Sequence, residues 1–190
     1  LLGAAEQFGC SLVGGDTTRG PLSISITAIG EVPSGEPVRR SGAKPGDVLY
    51  VTGCLGDGQV ALNHLDFDAA ESTAQQSALA VAGRKSARKD LTLDDNAYLY
   101  RRFFRPEPRL AFADLARNLM SSAIDVSDGL HADAGHLAKT SAVKLRINLD
   151  QLPFSKSVLR LTSEAERVNA ALYGGDDYEL CFTAETAYRG

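Results

Sequence analysis

Two carboxylates and a hydroxyl stand within four positions of one another in the stretch Ser121 to Leu130, which reads SSAIDVSDGL. Asp125, Ser127 and Asp128 follow a short apolar run and precede a segment in which apolar residues recur with helical spacing. The pattern predicts a strand, a turn that carries the three polar side chains, and a helix. Ser127 or Asp128 is the expected N-cap of that helix, because Ser and Asp side chains accept backbone N–H groups at this position.

Two other acidic turns lie far from this stretch in the sequence. Gly14 to Arg19 reads GGDTTR, and Gly174 to Glu179 reads GGDDYE. Glycine-rich turns expose backbone amides and are places where phosphates and hard cations are held. For each carboxylate alone, an ordinary role as a helix cap or turn residue is the alternative. Because the arrangement occurs three times, we expect the three turns to converge on one metal and phosphate centre.

The chemistry expected of such a centre is phosphoryl transfer. Two carboxylates about 4 Å apart repel each other by about 4 kcal/mol at an effective dielectric constant near 20, so a cluster of them needs a cation. Mg²⁺ is held by one or two carboxylates together with substrate phosphates. The sequence has no GxxxxGK[ST] phosphate loop, and no histidine pair or serine elbow suggests a nucleophile. No residue is therefore assigned as a nucleophile or general base, and positioning and electrostatics remain as the source of catalysis.

Composition narrows the class of protein. The chain has 190 residues, 44% of them hydrophobic and 23% charged, with a net charge of −4, which suits one large or two small globular domains. Without a block of basic residues, no nucleic-acid partner is expected, and without a long apolar run or signal peptide, no membrane partner is expected. Cys10, Cys54 and Cys181 occur singly, so we expect buried thiols and a cytoplasmic location. A first residue other than Met suggests a fragment of a longer protein.

The periodicity of apolar residues predicts strands mixed with helices, and hence an α/β or mixed α+β chain. Strands are expected at residues 10–13, 22–28, 48–52, 143–149 and 178–182. Helices are expected within residues 59–89, whose boundaries are uncertain, and at 110–119, 130–138 and 165–172. No chemistry is assigned to residues 63–97.

The segment from Tyr98 to Arg109 is basic and aromatic, and it contains four arginines. It is either a solvated beginning of a helix or a surface that contacts an anion. Its sequence alone does not separate these two interpretations.

Five stretches of the chain resemble the thiamine-monophosphate kinase family, within the aminoimidazole ribonucleotide synthetase (PurM-like) superfamily. They are LVGGDTTRGPLSISITAIGEVP, RSGAKPGDVLYVTG, RPEPRL, SSAIDVSDGL and GGDDYELCFT. The resemblance implies two α/β domains, here residues 1–36 as the C-terminal part of an incomplete N-terminal domain and residues 37–190 as a truncated C-terminal domain. It also implies a homodimer and the phosphorylation of thiamine monophosphate by ATP, by direct in-line transfer with several Mg²⁺ ions.

The resemblance also implies roles for individual residues. Nucleotide contacts would come from Gly15, Asp16, Arg40 and Ser127. Magnesium ligands would be Asp16, Asp125 and Asp128, and the substrate contact would be Asp176. Other relatives carry further metal-binding aspartates in N-terminal sequence that this chain does not contain.

Two further functions stay open at this point. One is another ATP-dependent enzyme of the superfamily, such as a selenophosphate synthetase or a hydrogenase-maturation protein. The other is a non-catalytic protein that binds thiamine phosphate or a nucleotide, including a degenerate remnant. The sequences of the first and third turns, GGDTTRGP and GGDDYEL, favour the kinase over another enzyme of the superfamily. All three turns retain their acidic residues, which disfavours a degenerate remnant.

Overall fold

Three antiparallel strands form the sheet of the computed structural model. Strand β1 is Val48–Val51, β2 is Met120–Val126 and β3 is Glu179–Ala184, and β3 lies between the other two. Val51 is opposite Cys181 in one ladder, and Val126 is opposite Glu179 in the other. The end of β2 that leads into the SDG turn therefore lies beside the beginning of β3, which follows the GGDDY turn.

The structure describes residues 2–65 and 91–186. These residues fall into two compact units, Leu1–Val32 and Pro33–Gly190, and each unit is described by itself. The first unit contains one helix, α1, at Leu2–Gln7. Most of the predicted helical region between residues 59 and 89 lies outside the described residues.

Six helices accompany the sheet in the described part of the second unit. They are α2 at Asp57–His64, α3 at Leu93–Phe104, α4 at Leu110–Ala116, α5 at Leu130–Ser141, α6 at Lys156–Leu161 and α7 at Glu164–Tyr173. Short 3-10 turns occupy Arg117–Leu119 and Leu149–Gln151. Helices α3 and α7 begin with capping boxes, in which Thr92 pairs with Asp95 and Ser163 with Glu166. The mixed α+β class predicted from the sequence is confirmed.

The core of the second unit has two parts. In the first, β2 and β3 pack against α5, with Val126, Leu137 and Cys181 fully buried. In the second, α2 packs against α3 and α6, with Leu99 and Val158 fully buried. At about 25 cal/mol per Å² of apolar surface, this burial drives the folding of the unit.

A buried ionic network joins the two parts of the core. The Glu179 carboxylate is 0% exposed. It accepts hydrogen bonds from Arg109 Nε at 2.7 Å, Arg109 Nη2 at 2.6 Å and the Thr52 hydroxyl at 2.6 Å. Arg102 Nη2 lies 3.0 Å from Glu179 Oε1, and its Nε donates to Asp57 Oδ2 at 3.1 Å. The network therefore ties β1, α2, α3 and the segment before α4 to the first residue of β3.

The strands predicted at residues 10–13 and 22–28 are wrong: the structure has no strand at these positions. A strand needs a hydrogen-bonded neighbour, and the described residues of the first unit supply none. The alternating apolar side chains are instead exposed, at 92% for Leu22, 76% for Ile24 and 68% for Ile26. Cys10 is also exposed, so the expectation of a buried thiol holds for Cys181 but not for Cys10.

The strand predicted at residues 143–149 is also wrong. This segment has no ladder partner among the described residues, although Leu145 and Ile147 pack against the first part of the core. Its alternation reflects one buried side rather than membership of a sheet. The other strand predictions, at 48–52 and 178–182, are confirmed as β1 and β3. No helix in residues 2–65 and 91–186 is long and apolar enough to cross a membrane.

Replacing Glu179 by Gln should lower the free energy of unfolding by about 3 kcal/mol, because the half-buried guanidinium groups of Arg102 and Arg109 lose the buried carboxylate that they share. Chemical denaturation followed by circular dichroism measures this change. Glu107→Gln is the matched control, since Glu107 also faces Arg109, at 3.6 Å, but its side chain is 74% exposed. The control should leave the denaturation midpoint almost unchanged. Equal effects of the two substitutions would contradict a structural role for the buried network.

Candidate active site: two acidic turns

The turn between β2 and α5 presents Asp125, Ser127 and Asp128, as the sequence predicts. Gly129 begins the helix with a φ of 97°, in the region that favours glycine. A Cβ atom at this position would lie 2.7 Å from the carbonyl oxygen of Leu172 at the end of α7. The glycine therefore lets the turn pack directly on the backbone of α7.

The predicted N-cap is wrong, because Gly129 occupies that position and makes no side-chain cap hydrogen bond. Asp133, in the first turn of α5, instead binds the turn that precedes the helix. Its Oδ2 accepts hydrogen bonds from the backbone N–H groups of Ser127 and Asp128, both at 3.0 Å. Sequence reasoning missed Asp133, and its only signal was an acidic residue near the start of a helix.

Because Gly129 is the N-cap and Asp133 binds the N–H groups of the turn, the side chains of Asp125 and Asp128 are not needed to hold the turn or the helix. Both are exposed, and neither carboxylate has a hydrogen bond or ion pair to the described residues. A carboxylate with no internal partner is available to a ligand. This placement favours the metal-binding interpretation of Asp125 and Asp128 over the capping alternative.

The GGDDY turn pairs with the SDG turn through the backbone. Asp176 N donates to the carbonyl oxygen of Ser127 at 3.0 Å, and Tyr178 N donates to that of Val126 at 2.8 Å. A Cβ atom at Gly175 would lie 2.5 Å from the Ser127 oxygen, so only glycine permits this approach. Two of the three predicted turns therefore meet in the structure.

Tyr178 lies where negative charges from both acidic turns act on its phenol. Its hydroxyl donates to Asp176 Oδ1 at 2.9 Å. This hydrogen bond raises the pKa of Tyr178 most, followed by burial and by the negative charges of Asp176, Asp125 and Asp128. Three carboxylates therefore act on one phenol. Asp176 and Tyr178 both have positive φ, at 65° and 50°, a strained conformation that often occurs at functional sites.

Asp177 differs from its neighbour Asp176, because it is 1% exposed. Its carboxylate accepts hydrogen bonds from Gly56 N at 2.7 Å and Gly58 N at 3.0 Å, at the beginning of α2. Burial raises the pKa of Asp177 to about 6, although the two N–H groups oppose the shift. Asp177 is thus an anchor for the turn, whereas Asp176 faces solvent.

The remaining predicted site residues are Gly15, Asp16 and Arg40. Gly15 and Asp16 are exposed in the first unit, where the Asp16 carboxylate accepts a hydrogen bond from Thr17 N at 2.7 Å. The meeting of Asp16 with Asp125 and Asp128 stays a prediction. Arg40 lies at the far end of α5, where its carbonyl oxygen accepts a hydrogen bond from the Thr140 hydroxyl at 2.8 Å. That position is roughly 15 Å along the helix axis from the SDG turn.

The acidic side chains suit a magnesium ion that is shared with substrate phosphates. Among the described residues, no three His, Cys, Asp or Glu side chains form a group that could hold a metal on its own. Mg²⁺ does not require such a cage, since it is usually bound by one or two carboxylates, phosphates and water. Asp125 and Asp128 supply carboxylate oxygens, and no cationic side chain among the described residues pairs with them. These two carboxylates therefore fit Mg²⁺.

Comparison with known proteins finds relatives whose sequences match this chain over its whole length. Thiamine-monophosphate kinases of Escherichia coli (strain K12) and Salmonella typhimurium are 44% and 40% identical over 190 residues, 100% of this chain and 53% of each relative. The solved structure of the kinase from Stenotrophomonas maltophilia K279a has 39% identity and a TM-score of 0.80, over 99% of this chain and 55% of that one. The chain is similar to thiamine-monophosphate kinases over all of its 190 residues. It spans about half the length of these relatives.

A second similar solved structure is that of AaThiL complexed with AMPPCP and TMP. It matches 79% of this chain and 43% of that one, with 30% identity and a TM-score of 0.58. The PurM-like fold expected from the sequence is therefore confirmed. No protein-family model matches the chain.

Gly175→Ala should separate the two turns, because the added methyl group would lie 2.5 Å from the Ser127 oxygen. We expect a loss of about 1–3 kcal/mol in the free energy of unfolding. Gly135→Ala is the control, since Gly135 is exposed within α5 and a Cβ atom there would have no heavy atom within 4 Å. The control should be neutral or stabilise the helix by up to about 1 kcal/mol. Denaturation curves that show no difference between the variants would contradict the close approach.

The raised pKa of Asp177 predicts a pH dependence of stability. The folded protein holds a proton on Asp177 up to about pH 6, whereas the ordinary value is 3.8. The folded state therefore binds more protons between these values, and stability falls as pH rises from about 4 to 6. Relative to Asp177→Asn, the wild type should lose about 1.4 kcal/mol per pH unit in this window and no more above it.

Denaturation of both proteins at several pH values measures the difference. Asp114→Asn, at an exposed position on α4, is the control and should give a constant difference. A wild type that becomes more stable relative to Asp177→Asn as pH rises from about 4 to 6 would contradict the prediction.

Proposed function

We propose that the protein containing this chain is a thiamine-monophosphate kinase, which transfers the terminal phosphoryl group of ATP to thiamine monophosphate in a Mg²⁺-dependent reaction. The observation that carries the proposal is the match to kinases of this name along all 190 residues. The relative complexed with AMPPCP and TMP supports ATP and thiamine monophosphate as the two substrates. The pairing of the SDG and GGDDY turns supports the same chemistry, because it gathers uncompensated carboxylates where a metal and phosphates would be held.

Each turn has a separate task in this proposal. Asp125 and Asp128 hold magnesium together with Asp16, which the resemblance assigns to the same centre. When bound, the ion neutralises the charge that develops on the transferred phosphoryl group. Gly15 and Ser127 contact the nucleotide. Because Asp133 fixes the N–H groups of the SDG turn, Ser127 and Asp128 keep their orientation before the ligand arrives.

The substrate side of the reaction belongs to the GGDDY turn. Asp176 contacts thiamine monophosphate, and the Tyr178 hydroxyl orients the Asp176 carboxylate. The hydrogen bond from Asp176 N to the Ser127 carbonyl oxygen supports a substrate contact beside the nucleotide contact of Ser127, as in-line transfer requires. Arg40, at the other end of α5, would meet a part of the nucleotide away from the reacting phosphates.

The proposal also includes a homodimer, which the resemblance implies, and a cytoplasmic location, which is the expectation from the sequence. The exposed apolar side chains of Leu22, Ile24 and Ile26 support the dimer, since an uncovered surface of this kind marks an interaction site. Analytical ultracentrifugation of the full-length protein would test the dimer, and a monomer at micromolar concentration would exclude it.

The decisive assay incubates the full-length protein with ATP, Mg²⁺ and thiamine monophosphate and measures ADP and thiamine diphosphate. Formation of both in equal amounts supports the kinase. ADP production with a different acceptor would indicate another enzyme of the superfamily, and binding without turnover would indicate a non-catalytic protein.

Asp125→Asn should lower kcat about 100-fold or more, because the variant loses a charge that binds the metal and not a contact that stabilises the fold. Its thermal denaturation midpoint should stay close to that of the wild type, since the carboxylate is exposed. Asp114→Asn removes an equally exposed carboxylate from α4 and should keep full activity. Wild-type turnover by Asp125→Asn would contradict the role of Asp125 as a metal ligand and would indicate an ordinary turn residue.

A further inference from the structure

Four arginines line a pocket of about 240 Å³ beside the buried Glu179 network. They are Arg101, Arg102, Arg105 and Arg109, from the last turn of α3 and the segment that follows it. None of the residues proposed for the kinase site lines this pocket. The sequence of the basic segment allowed two interpretations, a solvated beginning of a helix or a surface that contacts an anion. The pocket favours the second.

The charges of the four arginines are balanced on one side only. Arg102 and Arg109 lie deeper and are paired with Glu179. Arg102 also faces Asp57, and Arg109 also faces Glu107 at the rim. Arg101 and Arg105 are exposed and one helical turn apart, and in the described ranges neither guanidinium group has a carboxylate within ion-pair distance. Like charges at this spacing repel each other. The outer half of the pocket therefore has an excess of positive charge.

We propose that this pocket binds the phosphate group of a small anion, at a site separate from the two acidic turns. Guanidinium groups present forked N–H donors that match phosphate oxygens, which favours phosphate over a spherical anion such as chloride. The volume is below the range of about 300–1,000 Å³ typical of pockets for drug-sized ligands. A single phosphate or a pyrophosphate fits this size better than a nucleotide.

The inner arginines connect the pocket to the GGDDY turn. Arg102 Nη2 donates to the carbonyl oxygen of Asp177 at 3.1 Å, and Asp177 directly follows the proposed substrate contact Asp176. An anion that binds the Arg102 guanidinium group would therefore contact a side chain that is itself hydrogen-bonded to the GGDDY turn. Occupancy of the pocket should be detectable at Asp177 and at Tyr178.

Titration calorimetry with inorganic phosphate and with pyrophosphate, in EDTA so that no metal bridges the ligand, tests the site. Arg101→Gln/Arg105→Gln should weaken pyrophosphate binding about tenfold or more, because the variant loses two charge-assisted contacts. The matched control is Lys144→Gln/Arg146→Gln, which removes the same charge from exposed positions that do not line this pocket. The control should bind as the wild type does.

A second variant tests the site by a gain of binding. Glu107 lies at the rim, 3.6 Å from Arg109 Nη1, and opposes an incoming anion. Glu107→Gln should strengthen pyrophosphate binding about two- to threefold, an effect that misfolding cannot produce. The Nε–Hε NMR resonances of Arg102 and Arg109 should shift on titration, which locates the ligand in the pocket and not at the acidic turns.

Tighter binding of pyrophosphate than of phosphate would indicate a ligand with two linked phosphates, and equal binding would indicate a single phosphate group. Three results would overturn the proposal: no binding to the wild type, unchanged binding in Arg101→Gln/Arg105→Gln, or an equal loss in the lysine and arginine control. Any of these would leave Arg101 and Arg105 as basic residues that offset the dipole of α3. The outcome is independent of the kinase assay, because the two sites share no residue.

Discussion

The buried carboxylate of Glu179 is the constraint on which the second unit depends. A charge without access to water costs several kcal/mol unless donors surround it, so each element that supplies a donor must hold its place. Thr52 supplies a hydroxyl from the end of β1, and Arg102 and Arg109 supply guanidinium groups from either side of the α3–α4 connection. Arg102 extends the same requirement to Asp57 in α2, which also accepts from the hydroxyls of Tyr98 and Ser155.

This constraint explains how the GGDDY turn presents its functional side chains. Asp177 and Glu179 both point inward, where the N–H groups of α2 and the arginines bind them. With Asp177 and Glu179 held inside, the side chains of Asp176 and Tyr178 are left facing solvent. The two buried anchors also account for the positive φ of Asp176 and Tyr178, because strained conformations persist only where the surroundings determine them strongly.

Sequence reasoning succeeded where a structural signal is local. The β2 strand, the SDG turn and the beginning of α5 follow from an apolar run, a glycine and a helical period within about 20 residues. It failed at residues 22–28 and 143–149, because alternation reports that one side of a segment is apolar and not that a neighbouring strand exists. The buried network was out of reach for a related reason: Thr52, Arg102 and Glu179 are close only after folding. The division into residues 1–36 and 37–190 stays a prediction.

The carboxylates of the second unit fall into two groups by environment. Asp57, Asp177 and Glu179 are buried, and the chain itself supplies their donors and cations. Asp125, Asp128 and Asp176 are exposed, and the described residues give them no cation, although they lie close enough to act together on Tyr178. Repulsion among these carboxylates opposes folding, and within the described residues only Asp176 has a compensating hydrogen bond, from the Tyr178 hydroxyl. The exposure of these carboxylates therefore supports the proposed metal site, and the exposed guanidinium groups of Arg101 and Arg105 likewise support the proposed phosphate pocket.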